Sequence, residues 1–154
     1  MANLLLPREA DNNYRGHALA VWVFIPVVAV TIVRSLIHML RADGGAQSIA
    51  TIPLDSYPQA AAGAVVTIFA LWGLSQLLLG LLYLVVLVRY RALIPLMYLT
   101  LLLEYLGRMA LGSWKPLVTL ETPPGATLNL VMIVLSVVML AISLREPAKR
   151  TETN

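Results

Sequence analysis

No cysteine occurs in this chain. That absence excludes disulfides, thiol redox chemistry, cysteine-ligated metals and c-type haem attachment through Cys-x-x-Cys-His. Charge is scarce as well. Asp, Glu, Lys and Arg make up 12% of the 154 residues, about half the share of an ordinary soluble domain. Histidine is limited to His17 and His38, too far apart in sequence to suggest a metal site by themselves. No phosphate-binding loop, nucleotide fingerprint or metalloprotease motif is present, and no internal repeat is visible. No cofactor, no metal and no nucleic-acid partner is therefore assigned.

What the chain has in abundance is apolar surface. Hydrophobic residues make up 59% of it and its mean hydropathy is +0.80. Such a composition belongs to integral membrane proteins. Four runs are long enough to cross a bilayer, Ala18–Leu40, Ala60–Val88, Ala92–Gly112 and Thr127–Leu144, since a spanning helix needs about 20 residues. The expected fold is all-α, an integral membrane four-helix bundle over 18–144 with tails at 1–17 and 145–154. The second run exceeds the required length, so it either tilts or starts later than Ala60. Pro26 and Pro95 fall within runs one and three, where membrane helices tolerate proline. A cleaved signal peptide competes for run one. Its length, Arg34 and the segment ahead of it argue against cleavage.

The net charge of +3 and pI near 9.5 would suit an anionic partner, but the positions of the basic residues say more. Arg8, Arg15, Arg89, Arg91, Arg145, Lys149 and Arg150 lie on the side of the two termini. Only Arg41 and Lys115 lie in the other two loops. The positive-inside rule then places both termini in the cytoplasm. Tyr14, Trp22, Tyr57, Tyr90 and Trp114 fall near the expected interfaces. The tails are polar and expected to be mobile. In the loop Arg41–Gln59, the stretch Ile49–Tyr57 suits either the membrane surface or a cap on the bundle. The loop Ser113–Ala126 is stiffened by Pro116, Pro123 and Pro124.

A few polar residues interrupt the apolar runs, at a cost of about 2.5–3.5 kcal/mol for each charge at mid-bilayer on insertion scales. Run one carries Thr31, Arg34, Ser35, His38 and Arg41 at helical steps of three and four. Run three carries Thr100, Glu104 and Arg108. Run two carries Trp72, Gln76 and Tyr83 on one face, and run four carries Asn129, Ser136 and Ser143 at steps of seven. At a rise of about 1.5 Å per residue, Arg34 lies about 9 Å and Glu104 about 12 Å inside the same end of their helices. The expectation is that Arg34 and Glu104 meet in the bundle interior, with His38, Arg108, Gln76 and Trp72 around them, and that His38, Arg108 and Asn129 sit nearer the outer surface. Glu104 and Arg108, four residues apart, could also pair along their own helix. The plain alternative makes the ion pair a packing lock and His38 a satisfied interfacial residue. It also lets Arg108 reach toward headgroups. The Asn129–Ser136–Ser143 stripe and the small residues Ala60–Ala64, Gly73 and Gly80 read as close-packing seams.

The pattern Glu104-Tyr105-Leu106-Gly107-Arg108, continued by Gly112-Ser113-Trp114-Lys115-Pro116, resembles the DoxX-like group of small four-helix bacterial membrane proteins. So do the four spans and the long first loop. The resemblance implies a bacterial inner-membrane protein with a lipophilic small-molecule ligand, quinone-like or lipid, or a place as an accessory subunit. It transfers no catalytic residue.

Three functions are compatible with these residues. One is a binding or accessory protein whose polar site holds a lipid, quinone or similar amphiphile, with the bilayer and a homo-oligomer or larger complex as partners. Another is a membrane enzyme or redox subunit using Glu104 or His38 for acid–base chemistry, although no nucleophile–base pair is visible. The last is a proton-coupled carrier, which four spans could form only as an oligomer.

Overall fold

The structure, a computed structural model, describes residues 2–145. Its main elements are α1 (Ala2–Leu5), α2 (Ala18–Leu40), α3 (Gln59–Arg89), α4 (Ile94–Trp114) and α5 (Pro124–Ser143). Single 3-10 turns lie at Leu54–Ser56 and Arg91–Leu93. Among the described residues there is no strand. Four of the helices are long and apolar enough to cross a membrane. The first boundary falls where expected, and the others shift by one to three residues. The basic tail residues Lys149 and Arg150 lie outside the described residues.

Local chemistry sets these ends. His17 begins α2, its Nδ1 accepting the Leu19 amide at 3.2 Å, which satisfies one of the free donors of the first turn. Pro95 and Pro124 sit in the first turns of α4 and α5, where no amide is needed. The second run does not begin late. α3 starts at Gln59 and continues for 31 residues, about 46 Å of helix. Its extra length supports the first loop, because Ala62, Val65, Val66 and Phe69 pack on Ala46, Ile52 and Leu54. That loop is a cap on the bundle.

α2 packs along α3, and α4 along α5, while α2 also meets α5. α3 and α4 follow one another in sequence but approach at few positions. The α2–α3 seam is close. A Cβ placed on Gly73 would lie 2.8 Å from the His38 Cβ, and one on Gly80 would lie 3.0 Å from Ile32 Cγ1. Ser136 and Ser143 are buried as a seam residue should be. The segment Ala60–Ala64 is not one, since Ala60, Ala61, Gly63 and Ala64 are exposed.

The N-terminal segment and the last turn of α5 meet at one end of the bundle, hereafter the terminal end, and the opposite one is the loop end. The N-terminal segment lies against the bundle at two points. The Ala92 amide donates to the Asp11 carbonyl at 3.2 Å. Gly16 is buried against the Ser143 carbonyl and the Tyr14 ring. A continuous core fills this half, built around Phe24, Tyr83, Ile94, Tyr98 and Leu101. The Phe24 ring stands 5.5 Å from Tyr83 and 5.4 Å from Tyr98. Elsewhere the circumference is apolar and exposed, most evidently on α5 at Leu130, Val131, Val134, Val137 and Val138. That is the surface a bilayer requires.

Candidate functional site

The polar residues of α2 do not share one fate. Thr31, Ser35 and His38 face α3 and are buried. Thr31 and Ser35 return their hydroxyls to the carbonyls of Val27 and Thr31, at 2.8 and 2.6 Å, so they need no partner on another helix. Arg41 leaves the stripe and pairs with Asp43 at 3.5 Å in the cap. Arg34 turns toward α4.

His38 joins the helix to the cap. Its Nδ1 lies 2.7 Å from the Gly44 carbonyl oxygen. A carbonyl only accepts, so Nδ1 carries the proton and donates. Gly44 and Gly45 have φ of +59° and +77°, which glycine adopts without the cost other residues carry. Asp43 stabilises this turn by accepting the amides of Gly45 and Ser48 at 3.0 and 2.7 Å. Burial pushes its carboxyl upward, but the bonds from Ser48 and Gly45 and the neighbouring Arg41 outweigh that and hold it down at about 2. The His38 ring also lies 4.7 Å from the Trp72 ring and 5.7 Å from Phe69. Thr51, held at φ 55°, ties the cap to the second loop. Its hydroxyl donates to the Glu121 carbonyl, and its own carbonyl accepts the Leu120 amide, both at 2.9 Å.

Beneath the cap, Glu104 is the only acidic residue within the four spans. The structure corrects the expected Arg34–Glu104 pair. Glu104 Oε1 accepts from Arg108 on its own helix and from Gln76 Nε2 at 3.2 Å. Arg108 sits one turn along α4, so it reaches the carboxylate with little ordering of the backbone, and it takes the place expected for Arg34. Arg34 instead donates to the Tyr105 hydroxyl at 3.3 Å. Tyr105 receives both cations, with the guanidinium carbons of Arg34 and Arg108 at 5.9 and 5.1 Å from its ring centroid. Arg108 also lies 4.8 Å from the Trp72 ring centroid.

Six of the seven candidate residues thus gather between the middle of the bundle and the cap: Arg34, His38, Trp72, Gln76, Glu104 and Arg108. Asn129 does not join them. It is half-buried on α5, with no hydrogen bond to the cluster among the described residues. Tyr105 and Phe69 were missed. Their signal was weak, because an aromatic on an apolar helix reads as core. The Tyr98–Tyr105 spacing of seven on the buried face of α4 does place the second tyrosine inward.

Two properties of the cluster matter chemically. First, it is not fully satisfied. Gln76 is 3% exposed, yet its Oε1 has no partner, and neither has the buried Nε of Arg34 nor the buried hydroxyl of Tyr83. Secondly, it is partly exposed along the flank of α3 and α4. Trp72 is 37% exposed, and the side chains of Glu104 and Arg108 are 22% and 17% exposed. A Cβ on Gly107, three residues beyond Glu104, would meet nothing within 4 Å. The clefts around Tyr14, Gly16 and Arg91 lie at the terminal end, and no residue of the cluster lines them, so the cluster is a partly exposed polar strip rather than a closed chamber.

Compared with known proteins, the chain matches no family model, no curated protein and no solved structure.

Proposed function

We propose that this is a membrane binding or accessory protein that holds the polar head of a lipid, quinone-like molecule or other amphiphile in the groove between α3 and α4. One observation carries the reading. The guanidinium donors of Arg34, among them a buried Nε without a partner, stand beside a partly exposed edge of Trp72, Glu104 and Arg108. A buried unsatisfied polar group costs about 1–3 kcal/mol. A bound head that pairs with these groups recovers that cost, while its tail lies along the exposed apolar flank of α3 and α4. This geometry needs no enclosed cavity. A diazirine-bearing amphiphile, photolysed with the protein in nanodiscs, tests it. Labels concentrated on residues 68–76 and 103–111 support the groove, and labels spread evenly around all four helices would overturn it.

A second reading has one observation in its favour. With Nδ1 committed to Gly44, a neutral His38 keeps its basic lone pair on Nε2. That fits an acid–base role in a membrane enzyme. An activity that survives both His38→Gln and Glu104→Gln would eliminate it.

The basic-residue bias supports cytoplasmic termini, with the groove in the outer half of a bacterial inner membrane, as in the DoxX-like group the chain resembles. The natural lack of cysteine makes this easy to test. Ser48→Cys should react with a membrane-impermeant maleimide in intact cells, and Asn13→Cys should not. The reverse labelling would invert the protein.

A further inference from the structure

We infer that the amphiphile bound in this groove has an anionic head, an oxyanion of one negative charge, and that Arg34 is the residue that recognises it. The inference rests on the binding reading above and adds the chemical class of the ligand.

The argument is a charge count at one site. Two guanidiniums, Arg34 and Arg108, stand over the same Tyr105 ring. One carboxylate, Glu104, is available to them, and Arg108 and Gln76 share its Oε1. No other acid lies within the spans. Asp43, the acid of the adjoining cap, is occupied by Arg41 and by the amides of Gly45 and Ser48. Arg34 has no carboxylate within ion-pair distance among the described residues. Its polar partner there is a tyrosine hydroxyl, and its Nε is buried and unpaired. Cations therefore outnumber anions at the groove whatever the state of His38.

An arginine at membrane depth is held by a counter-charge, a carbonyl array or water. A planar guanidinium with a free Nε matches the two oxygens of a carboxylate, sulfonate or phosphate head. A cationic head would meet Arg34 and Arg108 together and be repelled. The apolar flank beside Trp72 suits the attached chain.

The test uses three probes with the same sixteen-carbon chain, brominated near the head: a sulfonate, an alcohol and a quaternary ammonium. Binding to the full chain in nanodiscs of phosphatidylcholine is read as quenching of Trp72 fluorescence in a Trp22→Phe, Trp114→Phe background. The sulfonate should bind at least tenfold more tightly than the alcohol, and the ammonium most weakly. Arg34→Gln should abolish the preference, and Arg34→Lys should keep part of it, with helical circular dichroism unchanged in both. Equal binding of sulfonate and alcohol overturns the anionic head while leaving the groove intact. Absence of saturable quenching by all three probes overturns the binding reading itself. A sulfonate preference that survives Arg34→Gln and disappears in Arg108→Gln overturns the assignment to Arg34. Once the preference is established, competition by phosphatidylglycerol identifies the bilayer as the source of the oxyanion, and its failure to compete identifies a separate amphiphile.

Discussion

Glu104 compensates a positive site with one oxygen that accepts from both Arg108 and Gln76. Its removal leaves Arg108 as well as Arg34 without an anion. Both side chains of the Glu104–Arg108 pair keep contact with the surroundings, so the loss is smaller than the 3–5 kcal/mol typical of a broken buried pair. Glu104→Gln should destabilise the fold by about 1–3 kcal/mol, read as a lower midpoint of thermal unfolding in detergent. The double change Glu104→Gln, Arg108→Gln should cost less than the sum of the two single changes, because no cation is then left facing an empty position. An additive pair would mean that the two side chains do not interact. Part of this residue-scale picture was legible in the sequence. Spacing and depth placed Arg34 and Glu104 at one level, with His38 and Arg108 nearer the surface. They favoured Arg34 as the partner of Glu104, whereas Arg108 holds it, because the choice depends on side-chain reach measured in a few ångströms.

At the scale of elements, the glycines of α3 separate packing from composition. Gly73 and Gly63 lie on one helix, but only Gly73 is pressed against α2, where a Cβ would stand 2.8 Å from the His38 Cβ. Gly73→Ala should destabilise by about 1–3 kcal/mol through overpacking and should displace His38 from the Gly44 carbonyl. Gly63→Ala meets open space and should be neutral or stabilising by up to about 1 kcal/mol, as expected for an exposed helical site. Unfolding midpoints of the two variants, measured side by side, check this. The cap loop responds to pH through Asp43. Its carboxyl is held at about 2, below the ordinary value of 3.8. A depressed pKa stabilises the folded form above the unfolded value, and that support is lost as pH falls from about 4 toward 2. Amide exchange at Gly45 and Ser48, corrected for its intrinsic pH dependence, should accelerate over that window and should already be fast in Asp43→Ala at neutral pH. The span boundaries were readable from hydropathy to within a few residues. The cap was one of two readings of the first loop, and the choice was not legible because its order comes from bonds between His38 and Gly44, and between Thr51 and Glu121, that no local pattern encodes.

For the whole molecule, the N-terminal segment closes the terminal end. Gly16 has no room for a side chain between the Ser143 carbonyl and the Tyr14 ring. Gly16→Val should loosen this segment and lower the unfolding midpoint, whereas a detached tail would tolerate the change. Tyr14 reports the same docking. Burial raises its phenol from 10.0 to about 12. A raised pKa leaves stability intact below about 10 and removes it as pH climbs from there toward 12. The docked segment should therefore release over that alkaline window in the native chain and show no such transition attributable to this residue in Tyr14→Phe, as followed by protease accessibility of residues 2–16.

Four helices long and apolar enough to cross a membrane were legible in the residues alone, because bilayer length and unbroken hydropathy are properties of contiguous residues. Rise per residue likewise converts position into depth, which set Arg34 and Glu104 at a similar level. Only the tertiary structure decided the pairing of helices, the folding back of the N-terminal segment and the partners of each charge. Those outcomes turn on which surfaces meet. Arg34 is left without a carboxylate because Glu104 is held by Arg108 from its own helix and by Gln76 from α3.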